Sequence, residues 1–259
     1  MPKIEALSGE RHAHKFWQRY PSYDFARAEA VTSLVASELP KAIMSLPVAF
    51  LQQGDAYVPV AVLGLEPGKN LFVAQNGRWI GQYVPAALRG YPFVLLRNGE
   101  QLVMCADEES GLIGDEGLPL FDAEGKPAEA VQAVLDFLVQ VEQSRVRTVA
   151  ACAALARHGC IRPWTITHKF DAENERRIEG LFQIDEAALN ALPDEAFLEL
   201  RRAGALLIAY GQLLSMQHLP LLGQLADAHA KAAAPLPTQG KDIDLSFLSE
   251  GEMFKFDGM

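Results

Sequence analysis

Apolar positions change rhythm along this chain. Between residues 47 and 106 they gather in short runs rich in Val, Phe, Leu and Tyr, broken by Gly, Pro, Asn and Asp. Such runs, bounded by turn formers, predict β-strands. The runs are PVAFLQQ (47–53), AYVPVAVLGL (56–65), NLFVAQ (70–75), RWIGQYV (78–84), PFVLLR (92–97) and EQLVMCA (100–106), read together as one antiparallel sheet. Gly54-Asp55, Pro67-Gly68, Asn76-Gly77 and Asn98-Gly99 punctuate them. Asn-Gly supplies the positive φ values of a two-residue hairpin, so the hairpin at Asn98-Gly99 is the sharpest local expectation. PAALRG (85–90) starts with Pro and stops at Gly, as a single helical turn does.

After the Gly- and Pro-rich stretch 111–127 the period lengthens. Val131, Val134, Leu135, Leu138, Val141, Val149, Cys152 and Leu155 recur near three and four residues, predicting a helix over 126–158 that Gly159 ends. WTITHKF and RIEGLFQI flank the polar stretch 171–175 and predict a second hairpin, with Trp164, Ile166, His168 and Phe170 on one face. Asp185 is placed to cap a short helix through Leu192, and Asp194 a longer one that includes Phe197, Leu200, Leu207 and Tyr210. A last helix spans 221–231. Before the strands, Ser37 followed by Glu38, Leu39 and Pro40 predicts a short capped helix to Ser45. The arm ERHAHKFWQRYPSYDF (10–25) has no period and is expected across the surface, anchored by Phe16, Trp17 and Tyr20.

The fold class is therefore α+β: an antiparallel, β-rich N-terminal half packed with a helix-rich C-terminal half that contains a second hairpin. The expected parts are an arm, short helix and sheet (1–125), a helical part with the inserted hairpin (126–234), and a linker with a docking tail (235–259), forming one interdependent unit. The tail KDIDLSFLSEGEMFKFDGM alternates acids with Ile243, Leu245, Phe247, Phe254 and Phe256, too apolar a pattern for an inert terminus.

Composition narrows the class. With 259 residues and 49% hydrophobic content there is ample material for a core. No apolar stretch reaches the roughly 20 residues of a membrane span, so no membrane insertion is expected. The first residues carry acids and no apolar core of the kind a secretion signal requires, and the three cysteines, Cys105, Cys152 and Cys160, have no paired spacing. Both point to the cytoplasm. A net charge of −10 with no local cluster of Lys or Arg argues against nucleic acid and anionic membranes.

Gly64, Gly68 and Lys69 resemble a phosphate loop, but the glycines are too close and Asn70 stands where a hydroxyl belongs, so an ordinary turn is expected. The chain contains no Gly-x-Ser-x-Gly and no His-Glu-x-x-His. His12 and His14, one residue apart, would share a face of a strand and offer two metal ligands, a third remaining unassigned. His158 and Cys160 with Cys152 lack the spacing of a structural metal site, and His168 on an apolar face reads as a hydrogen-bonded, half-buried side chain. No cofactor is predicted. The densest recognition-like cluster is Arg78, Trp79, Tyr83, Arg89, Tyr91 and Phe93, residue types that dominate binding hot spots, although Arg stacked on aromatics is also ordinary sheet packing.

These strings carry a resemblance. LPVAFLQQGDAYVPVAVLGLEPGKNLFV followed by NGRWIGQYVPAALRGYPFVLL is similar to the bacterial SapC family, as are the charged N-terminal segment bearing His12, LVASELPKA, GLFQIDEAALNALPDEAFLEL and the acidic, Phe-bearing tail. The likeness runs over almost the whole chain. Where family members place an Asp-Gly turn before the last hairpin strand, this chain has residues 171–177. The family is named for an association with surface-layer proteins, so the resemblance implies a Gram-negative accessory role in envelope biogenesis, exerted before export. It implies no catalytic residues. Three readings stand: an accessory protein that binds a polypeptide, a metal-dependent peptide-modifying enzyme using His12 and His14, and a structural subunit whose tail adds a strand to a neighbour, making a homo-oligomer.

Overall fold

The computed structural model describes residues 3–169 and 175–233. In chain order the strands are β1 (Ile4–Ala6), β2 (Phe16–Trp17), β3 (Val31–Ser33), β4 (Val48–Gln53), β5 (Ala56–Val62), β6 (Phe93–Asn98), β7 (Gln101–Asp107), β8 (Ile113–Gly114), β9 (Leu118–Pro119), β10 (Ile161–Lys169) and β11 (Glu175–Ile184). The helices are α1 (Gly9–His12), α2 (Leu39–Ala42), α3 (Ala86–Arg89), α4 (Glu129–Arg157), α5 (Glu186–Asn190), α6 (Asp194–Arg202), α7 (Ala205–Ser215) and α8 (Leu219–Ala233). Among the described residues every strand pairing is antiparallel, and the long helices lie in the C-terminal half, so the fold is α+β.

Both hairpins are present, but in the one after β6 the two turn residues are Gly99 and Glu100 rather than Asn98 and Gly99, because Asn98 stays on its strand with no positive φ. Gln53 pairs with Ala56 around Gly54 (φ +60°), and Asn98 with Gln101 around Gly99 (φ +62°). Only glycine takes such positive φ values without a side-chain clash. The strands do not form one sheet, however. They divide into β1-β7-β6, β8-β2-β9 and the five-stranded β10-β11-β4-β5-β3. NLFVAQ and RWIGQYV are not strands; a single isolated bridge, Val73 to Trp79, links them among the described residues. Their backbone bonds are mostly local: the Ala74 amide donates to the Arg78 carbonyl, and that of Ile80 to Phe72.

The predicted second hairpin is present as β10–β11, and it extends the five-stranded sheet through Leu181↔Leu51 and Phe182↔Phe50. Of its expected shared face, Trp164 and Ile166 pack on the main core; Phe170 and the side chain of His168 lie outside the described residues. The tail from residue 234 lies outside them as well.

Two caps differ from expectation. Ser37 does not cap α2; its amide donates to the Ser144 hydroxyl (3.1 Å), and Glu38 turns back to accept from the Val35 amide (2.9 Å). Asp194 is the first residue of α6, behind Pro193, and the predicted long helix is broken at Gly204 (φ +71°) into α6 and α7. Asp185 does cap α5, accepting from the Ala188 amide at 3.1 Å.

The main core gathers Phe50, Phe72, Leu63, Leu155, Ile184 and Ile208 among others. A second cluster joins Trp17, Phe93, Met104, Leu120 and Val131. The N-terminal arm is thus more than a surface cover. β1 and β2 enter two sheets, and Trp17 is buried edge-on against Phe93 with ring centres 5.0 Å apart. By length and composition the helical run Ala205–Ala232 could cross a membrane, yet Gln212 and Ser215 on it are fully buried and bonded to the β4 backbone.

All three cysteines are free and buried. Burial pushes the Cys152 thiol up to about 12 from its ordinary 9.0. A raised folded-state pKa confers stability that is present below the unfolded value and lost as pH climbs to the folded one. The stability advantage of the wild type over Cys152→Ala is therefore expected to shrink between pH about 9 and about 12, read from urea midpoints across that range. A constant difference would count against it.

Candidate recognition site

The site starts from a carboxylate in an unexpected place. Glu38, at the entry to α2, is 5% exposed. Its Oε1 accepts from the Val35 amide (2.9 Å), while Oε2 accepts from the Ala86 amide (2.7 Å) and the Tyr83 hydroxyl (2.9 Å). Only donors face it, the arrangement an acceptor-only carboxylate satisfies. The Ala86 amide is an unpaired donor of the first turn of α3, so Glu38 also serves as that turn's cap from a distance. This fixes where Pro85, the residue before α3, directs the chain.

Tyr83 carries the network outward. Arg89 donates to the Tyr83 hydroxyl at 3.2 Å, and its guanidinium lies 5.6 Å from the Tyr83 ring centre and 4.8 Å from that of Phe137 on α4. Burial, and then the Glu38 charge, push the Tyr83 phenol well above its ordinary value, so it stays a neutral hydroxyl. A cavity of about 270 Å³ opens here, walled by Ser37, Glu38, Lys41, Tyr83, Arg89 and Phe137. Lys41 and Arg89 have no carboxylate within salt-bridge distance among the described residues.

Beside the cavity runs a half-buried aromatic belt. Trp79 stacks on Phe72 (5.5 Å, 20°), leans on Tyr23 (5.6 Å) and donates its indole N–H to the Tyr83 carbonyl (2.9 Å). Tyr91 stacks on Phe25 at 4.0 Å, and Tyr20 meets both Tyr23 and Phe25 edge-on. Burial, chiefly, raises Tyr20 to about 12, with Tyr23 adding to the shift and Arg89 opposing it.

Of the six residues that composition singled out, the structure brings Trp79, Tyr83, Arg89 and Tyr91 into this surface. Phe93 instead lies 1% exposed in the second core, and Arg78 is exposed in the turn after Asn76, whose side chain accepts from its amide. Sequence reading missed Glu38, Lys41, Tyr23, Phe25 and Phe137. An acid at a helix entry reads as an ordinary complement to the helix dipole, so Glu38 carried no signal of burial.

His12 and His14 are not on a strand. His12 ends α1, buried, with Nδ1 accepting from the Ser8 amide (3.2 Å) and Nε2 3.4 Å from Glu108, while His14 is exposed in the turn that follows. A short helical turn displaces the alternation on which the pairing rested. Glu108 also binds Lys3 and Arg11, so His12 belongs to an ion network on the β1–β7 side. The His158 ring bonds to Glu199 (3.0 Å), while the Cys160 thiol donates to the His158 carbonyl (3.7 Å). No group of three or more His, Cys, Asp or Glu is placed to hold a metal among the described residues. Pro67 and Gly68 form a tight turn closed by a bridge between Glu66 and Lys69, and Gly64 lies before it, close against the Lys69 carbonyl.

No curated protein and no solved structure matches the chain. The SapC family model matches residues 7–222, which include β2 to β11, the Glu38 network, the aromatic belt and α7, and the chain therefore belongs to the SapC family.

Proposed function

We propose that this chain is a non-enzymatic accessory protein that recognises a polypeptide through the Trp79–Tyr83–Arg89–Tyr91 surface, acting in the cytoplasm in bacterial envelope and surface-layer biogenesis. The observation that supports it most is the fixing of Arg89. A solvent-facing guanidinium is stacked between Tyr83 and Phe137 and tied through the Tyr83 hydroxyl to a buried carboxylate. Holding a rotamer-rich side chain in place beforehand lowers the entropy lost on binding. The flanking half-buried Trp and Tyr rings offer apolar area with polar edges, the chemistry of peptide hot spots. Lys41 and Arg89 together favour a segment that carries an acidic residue beside its apolar ones.

The test is affinity capture from the native host with wild type and Arg89→Glu, followed by titration of the captured polypeptide. The expected result is a partner held by the wild type and bound at least about tenfold more weakly by the variant, equivalent to about 1.4 kcal/mol. Equal retention by both proteins would remove the site from the proposal.

A further inference from the structure

We infer that the recognition surface reads two side chains of an extended segment in two separate cavities, an acidic one beside Lys41 and Arg89 and an apolar one beside Met44 and Ile80, with one residue between them. This rests on the polypeptide-recognition reading above and adds to it a second cavity and a spacing. The second cavity has a volume of about 300 Å³. Phe72, Leu221 and Leu225 line it together with Met44 and Ile80, which are 68% and 49% exposed. No Lys, Arg, Asp or Glu lines it among the described residues. The first cavity, about 270 Å³, contains the cations Lys41 and Arg89, while Glu38 there keeps both oxygens engaged by Val35, Ala86 and Tyr83. Both volumes stand at or below the lower end of sites that enclose a whole small molecule, so each suits one side chain.

The same two segments line both cavities. One is the helical turn that runs on from α2, in which the Met44 and Ser45 amides donate to the Lys41 and Ala42 carbonyls (3.3 and 3.1 Å). Lys41 lines the first cavity, Met44 and Ser45 the second, and positions three and four apart on such a turn share a face. The other segment is the loop 80–83: Ile80, Gly81 and Gln82 line the second cavity and Tyr83 the first. Trp79 fixes this loop by stacking on Phe72 and donating to the Tyr83 carbonyl. Position 81 must be glycine, because a Cβ there would stand 2.8 Å from the Trp79 indole nitrogen and 3.0 Å from the Phe72 ring.

The spacing follows from these segments. Side chains three apart on a helical turn are about 5–6 Å from one another. An extended chain places same-side neighbours, two residues apart, at about 7 Å. An acidic residue, any residue, then an apolar one is therefore the matching pattern, with Lys41 and Arg89 supplying the charge complement of the first. The Ser45 hydroxyl favours an extended segment over a helical one. It is a buried side chain, 8% exposed, that lines the second cavity without a hydrogen-bond partner. An extended segment, unlike a helix, brings unpaired backbone N–H and C=O groups to satisfy it.

The probes are synthetic, fluorescein-labelled Gly-Ser peptides carrying one Glu and one Leu, with none, one, two or three residues between them. They are titrated against the full-length chain by fluorescence anisotropy. The peptide with one residue between is expected to bind best, about tenfold more tightly than counterparts with Gln for Glu or Ser for Leu. Lys41→Gln is expected to erase the preference for Glu over Gln and keep that for Leu over Ser. Met44→Ser combined with Ile80→Ser is expected to do the reverse. A different best spacing, or variants that both lose the same preference, would overturn the two-cavity reading and leave peptide recognition standing. Absence of binding by every peptide would overturn it too, and retention or loss of the captured partner by Arg89→Glu then decides the recognition surface separately.

Discussion

Replacing Glu38 with alanine is expected to lower the free energy of unfolding by about 3 kcal/mol. The substitution leaves the Val35 and Ala86 amides without an acceptor, and each buried donor so orphaned costs about 1–3 kcal/mol. The Tyr83 hydroxyl, the third partner, borders the cavity and regains water, so its loss adds little. Glu38→Gln retains one acceptor oxygen but turns an N–H₂ towards donors, and an intermediate loss is expected. Urea unfolding followed by tryptophan fluorescence checks both, with the midpoint falling and the slope unchanged. A change within about 0.5 kcal/mol for the alanine variant would mean that the network has no structural weight, since that is the range of an ordinary surface substitution. The same variant frees Tyr83 from its anchor, so partner binding should weaken with stability.

The second large effect is expected at Gln212, fully buried on α7. Its Oε1 accepts from the Ile184 amide (3.0 Å) and its Nε2 donates to the Val48 carbonyl (3.2 Å), so one side chain joins the end of β11 to the start of β4. Gln212→Ala orphans both backbone groups and opens a void, for a loss of about 3–4 kcal/mol. Gln212→Leu fills the void but leaves the orphans, and should recover only part of that loss. Ser215 accepts from the Val48 amide (2.9 Å), so Ser215→Ala costs about 1 kcal/mol alone and combines non-additively with Gln212→Ala. A double-mutant cycle by thermal and urea unfolding measures the coupling. Strict additivity would show that the two side chains act independently on β4.

What could be read from the sequence was whatever local geometry decides. The turns at Gly54 and Gly99, the single turn after Pro85, the period of α4 and the cap at Asp185 each depend on residues within a few positions of one another. The division into three sheets depends on long-range burial, which a run such as Leu71-Phe72-Val73 does not disclose: β-prone residues buried consecutively serve a core-filling loop as well as a strand. The candidate surface was half legible for the same reason. Tyr91 and Phe93 look alike in composition, yet one stacks on Phe25 near solvent and the other packs on Trp17 inside. Glu38 was invisible as a site residue because its partners, Tyr83 and Ala86, lie far along the chain.

The pairing of β11 with β4 sets a timetable for synthesis. Phe50 and Leu51 emerge from the ribosome long before Phe182 and Leu181, the residues they pair with. At about 5–20 residues per second the β4 edge waits on the order of ten seconds for its neighbour. During that interval the β4–β5 hairpin presents an edge of unpaired backbone N–H and C=O groups that β11 later closes. A nascent chain stalled before residue 175 would offer that edge to any other strand nearby, making the span between the two hairpins the stretch in which translation speed bears most on yield.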